Sequence, residues 1–139
     1  MSYNAYKRAQ TGSETPQQTE HRLFTDVTRA LTKVVDAPRH NKEFIEAIDW
    51  NRRIWSTLST DCSIEGNQLP KELRAGIISL AIWVSKHSSM VMRGEESVDD
   101  LISINRTIME GLADQHRNMI KAKQEASTEG TSNFTGASI

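Results

Sequence analysis

The residues of this sequence best equipped for chemistry are few and scattered. Histidine stands at His21, His40, His87 and His116, with no HExxH motif and no pair at metal-ligand spacing. His87 falls toward the apolar side of a helical stretch and reads as a packed imidazole, not a ligand. Cys62 is the single cysteine, so neither an intramolecular disulfide nor a thiolate metal cluster can form. No base adjoins it in sequence, and it reads as a loop or semi-buried thiol instead of a nucleophile. Glu95, Glu96, Asp99 and Asp100 could attract a cation, yet at a helix start they are explained by the positive end of the macrodipole. Neither GxGxxG nor GxxxxGK[ST] occurs, so no phosphate-cradling loop is signalled. The expectation is a protein without catalytic residues, metal ligands or cofactor: not an enzyme.

The elements that would position such residues are helices. No segment alternates with a period of two, whereas four segments repeat their apolar residues at three and four. The first opens at Thr15-Pro16-Gln17-Gln18, a capping box with proline at the first helical position, and ends before Pro38. The second runs from about Asn41 to Leu58. The third runs from about Leu69-Pro70 to Gly94, which is well placed as a left-handed C-terminal cap. The fourth starts at Ser97 with Asp100 as capping partner, continues to at least Leu112 and frays near Lys123. A loop from about Ser59 to Gln68, containing Cys62, is the longest connection. The reading is an all-α, small four-helix bundle: a flexible segment at 1–14, a helical domain at 15–123 and a disordered polar tail at 124–139.

Two asparagines sit where apolar residues are expected. Asn51 lies amid the second helix's apolar arc of Phe44, Ile48, Ile54, Trp55 and Leu58. Asn105 lies at the centre of the fourth helix's face, formed by Leu101, Ile102, Ile108 and Leu112. Buried amides must find partners, and the structural reading is that Asn51 and Asn105 form a polar core that fixes helix register. The third helix is apolar on two sides. Leu73, Ile77, Leu80, Val84 and Val91 make one face, while Ile78 and Ile82 lie almost opposite, in line with Ala75 and Ser85. Such a helix is either central in the bundle or offers a second face to a partner.

Charge and hydropathy exclude other classes. Seventeen Lys and Arg against eighteen Asp and Glu give a net charge of −1, unlike the basic excess of a nucleic-acid binder. The longest apolar run, from Gly76 to Val84 with Ser79 in it, is far too short to span a membrane. The first residues lack the apolar core of a signal peptide, and a cytoplasmic protein is expected.

The middle of the chain is more specific. Asn51-Arg52-Arg53-Ile54-Trp55, the run from Asn67-Gln68-Leu69-Pro70 through Leu73-Arg74-Ala75 to Leu80, Trp83-Val84, and Ile104-Asn105-Arg106-Thr107-Ile108-Met109-Glu110-Gly111-Leu112 together resemble the FlaF family of alphaproteobacterial flagellar proteins. Ala5-Tyr6 and the Thr15-Pro16 opening extend the similarity over about residues 3–113. The resemblance implies a non-enzymatic role: binding flagellin through its amphipathic terminal helices, as an export chaperone that promotes secretion and filament assembly. It also implies a second partner, a protein that represses flagellin synthesis. Trp50 and Ile54 on the second helix and Ala75, Ile78, Ile82 and Trp83 on the third are the expected partner-binding residues. Two other classes stand beside this one. A post-transcriptional regulator would act on flagellin mRNA or through the second protein, and a structural adaptor would use the same apolar surface to pair with itself.

Overall fold

The computed structural model describes residues 14–137. The first thirteen residues of the expected N-terminal segment lie outside them. Four helices follow one another: α1 Pro16–Lys33, α2 Lys42–Ser63, α3 Lys71–Met92 and α4 Asp99–Ala137. The protein is an all-α four-helix bundle.

Each helix begins or ends on a local device. At α1, Thr15 Oγ1 accepts from the Gln18 N–H at 3.1 Å and Gln18 Oε1 accepts from the Thr15 N–H at 3.0 Å, which completes the capping box. Asn41 caps α2 by accepting from the Phe44 N–H at 3.1 Å. At the end of α3, the Glu95 N–H reaches the Met90 carbonyl at 2.9 Å and the Gly94 N–H reaches that of Val91 at 3.0 Å. This double bond pattern requires Gly94 in the left-handed region, at φ +77°. A Cβ there would stand 2.5 Å from the Arg39 guanidinium, so Gly94 also seats the α1–α2 connection against the α3–α4 connection.

Three boundaries differ from the sequence reading. α2 continues past Leu58 to Ser63, which places Cys62 on a helix with its thiol buried, not in a loop. The apolar repeat Trp55, Leu58, Cys62 simply carries the core face one turn further. At α4, Ser97 Oγ accepts from the Asp99 N–H at 3.1 Å, and Asp100 is used elsewhere. α4 also runs past Lys123 to Ala137: Gln124, Glu125 and Ala126 continue its helix-favouring composition, and no proline interrupts it further on. The side chains from Lys121 to Thr128 are exposed, so that stretch of the helix gains nothing from packing on the bundle.

The helices pack in the order α3, α2, α1, α4. α2 lies broadly on α3, α1 bridges α2 and α4, and α3 touches α4 only lightly. Phe24 and Leu31 of α1 meet Phe44, Ile48, Trp55 and Leu58 of α2 in the core, where Phe24 and Trp55 sit edge to face at 5.4 Å and 83°. Ile77 and Val84 of α3 and Leu101 of α4 complete it, each 0% exposed. α3 is thus not a surrounded central helix. Its outer side is open, and Ile82 is 55% exposed there.

Candidate functional site

Three constellations hold the side chains that could carry function. The first is inside the core. Asn51 and Asn105 are both 0% exposed. Asn105 Nδ2 donates to Asn51 Oδ1 at 2.8 Å and to Thr28 Oγ1 at 3.2 Å, while Asn105 Oδ1 accepts from the Trp55 indole N–H at 2.8 Å. One amide on α4 thereby fixes α1 and α2 against each other. Asn51 Nδ2 and the buried Ser88 hydroxyl have no partner. The cluster is sealed from solvent, and its chemistry is that of helix register.

The second joins α3 to α4. His87 is 6% exposed, its ring stacked on Trp83 at 4.5 Å and 17°. Nε2 lies 3.2 Å from Asp100 Oδ2 and 3.3 Å from the Ser97 carbonyl oxygen. His87, Glu96 and Asp100 bring their ligand atoms within 4.8 Å of one another, a set that could hold a cation. The imidazole is already engaged, and this contact fastens two helices that otherwise barely meet. Sequence reading placed His87 on an apolar face, but its meeting with Asp100 depends on how the Gly94 turn folds back.

The third constellation is the surface, where the expected partner-binding residues fall. They do not form one patch. Trp50 and Ile54 line a groove of about 400 Å³ between α1 and α2, with Leu23, Phe24 and Leu58 beneath and Glu20, Arg53, Thr57 and Asp61 around it. Ile82 lines a separate groove of about 440 Å³ between α2 and α3, where Ala81 and Val84 are outnumbered by Arg52, Arg53, Ser56, Ser59, Thr60 and Ser85. Ala75 is exposed on α3 and Ile78 is half-buried against the core. Trp83 is 38% exposed but faces away on the other flank, over His87. A wheel cannot separate these faces, because it does not say which helix covers which flank. Arg53 stands on the ridge between the two grooves and is ion-paired with Asp49 at 3.2 Å.

Glu20 and Asp61 were not visible as site residues in the sequence, since they lie on different helices with no motif linking them. Burial and the nearby Asp61 carboxylate push the Glu20 carboxyl above its ordinary value of 4.5. Burial first, then Glu20 and Asp61, also raise the neighbouring Cys62 thiol, with Arg74 acting the other way. A thiol held in its neutral form among carboxylates is a poor nucleophile.

No helix among the described residues is long and apolar enough to cross a membrane. Fold and surface together define a small helical bundle whose polar cluster is sealed in the core and whose apolar side chains open onto grooves. The chain belongs to the FlaF family: the family described as flagellar protein FlaF matches residues 2–112. The protein is therefore a flagellar protein, and the match ends at Leu112, leaving the rest of α4 outside it. No curated protein and no solved structure matches the chain.

Proposed function

We propose that this protein is a non-enzymatic, cytoplasmic chaperone and regulator that binds flagellin before export and promotes its secretion and filament assembly. The observation that supports this reading is the α1–α2 groove, where the half-buried Leu23, Trp50 and Ile54 line an opening over the buried Phe24 and Leu58, on a bundle already closed by its own core. A groove of this shape takes an amphipathic helix. Flagellin termini are such helices, and unpartnered in the cell they would pair with one another. Covering some 200 Å² of apolar surface at ~25 cal/mol per Å² contributes about 5 kcal/mol before association costs. That suits a complex which must later release its cargo. A flagellin-synthesis repressor would couple to the same step by sensing whether the chaperone is loaded.

Light scattering on the purified chain, with and without monomeric flagellin, tests the reading. A stable heteromeric species appearing only when flagellin is added is the expected result. A homodimer that ignores flagellin would establish the structural adaptor instead. Salt-sensitive binding of the flagellin transcript, without flagellin binding, would establish the RNA regulator.

A further inference from the structure

We infer that the cargo helix lies in the α1–α2 groove in a fixed register, with a lysine or arginine of its own set between Glu20 and Asp61. This rests on the flagellin reading and adds where the helix sits and what it must carry. The groove is chemically polarised. Trp50 and Ile54 offer an apolar floor, while Glu20 near the start of α1 and Asp61 near the end of α2 put two carboxylates at one end. Neither carboxylate has an ion-pair partner among the described residues, although Arg53 on the same rim is satisfied by Asp49.

Burial of the Glu20 carboxyl, and after it the nearby Asp61 carboxylate, disfavours its charged form in the unloaded protein, so the two carboxylates on this rim sit at a cost in free energy. A cation arriving with the ligand relieves it. The basic group therefore contributes attraction and also removes a repulsion already present, which makes it a selector among amphipathic helices of similar hydrophobicity. The spacing sets the register. Trp50 and Asp61 are eleven positions apart on α2 (61 − 50), about 16 Å at 1.5 Å per residue. A cargo helix lying along α2 must then place its basic residue about three turns from the apolar side chain that covers Trp50. The α2–α3 groove is excluded as the principal seat: its wall is mainly hydroxyl and guanidinium groups.

The experiment is calorimetric titration of the full chain with monomeric flagellin and with peptides of its two terminal helices. The double variant Glu20→Gln, Asp61→Asn should lose about tenfold or more in affinity and most of its salt dependence. Ile54→Asp should weaken binding comparably, and Ile82→Asp should leave it unchanged. Replacing the peptide's matching basic residue by Gln should weaken binding to the native chain but cost nothing further against the double variant. Normal flagellin affinity in both the double variant and Ile54→Asp would overturn the groove assignment while leaving the flagellin reading intact. Absence of flagellin binding by the native chain would overturn both. Binding that strengthens when residues 1–13 are removed, with the double variant no longer distinguishable from native, would show that the carboxylates serve the chain's own Lys7 and Arg8, and would also overturn it.

Discussion

The two core asparagines are not equivalent. Asn105 serves three partners, whereas Asn51 accepts one bond and leaves its own Nδ2 unpaired. Replacing Asn105 by Leu would strand the Trp55 indole N–H and Asn51 Oδ1 in a dry interior, at ~1–3 kcal/mol for each. Replacing Asn51 by Leu removes an unpaired donor along with an acceptor, and Asn105 keeps Thr28 and Trp55. Chemical denaturation should show Asn105→Leu costing roughly 2–6 kcal/mol and Asn51→Leu about 1 or less; the reverse order would contradict the bond assignment. Glu20 gives a second prediction at this scale. Its carboxyl titrates higher in the folded chain than in the unfolded one, so it contributes most to stability below 4.5 and that contribution is lost as pH rises through the folded value. Glu20→Gln should therefore be more stable than the native chain at pH 7, with the gap closing toward pH 4. Urea midpoints at the two pH values read this directly. A variant that gains stability while losing cargo affinity is the mark of a residue kept for binding.

Among the elements, α4 combines two regimes. Its first part buries Leu101, Ile102, Asn105 and Ile108 against the bundle, and Lys121 to Thr128 further along present exposed side chains. Helix that touches nothing is only marginally stable, and its loss should not propagate. Truncation after Lys123 should shift the thermal midpoint by no more than a degree or two, equivalent to under ~0.5 kcal/mol. A larger fall would mean that the C-terminal residues dock on the bundle. The start of α4 behaves otherwise, since Asp100 ties it to the buried His87 at 3.2 Å.

For the whole molecule, the arrangement α3–α2–α1–α4 decides which apolar residues are interior. Ile77 and Ile82 share a helix and a side-chain type, yet one is 0% and the other 55% exposed. Ile77→Asp forces a carboxylate into the core and should unfold the domain, at several kcal/mol. Ile82→Asp should remain folded within about 0.5 kcal/mol of the native chain. Circular dichroism melts distinguish the pair; equal damage would show that α3 is covered on its outer side as well. Ile78 is less suitable for this purpose than its wheel position suggests, because it packs partly against the core.

Helix number, caps and core faces were written locally. Thr15 with Gln18, Asn41 before Phe44 and Gly94 after Met92 each act within a few residues of chain, and the three-and-four spacing placed Asn51 and Asn105 at the centres of apolar faces before any partner was known. Only the tertiary structure decided that Asn105 would meet Trp55, that Trp83 would turn to His87 away from Ile82, and that Glu20 and Asp61 would share one rim. The physical reason is that periodicity fixes a side chain's angle about its own helix axis. Helix order and crossing determine what stands opposite, and those follow from burying all four apolar faces at once.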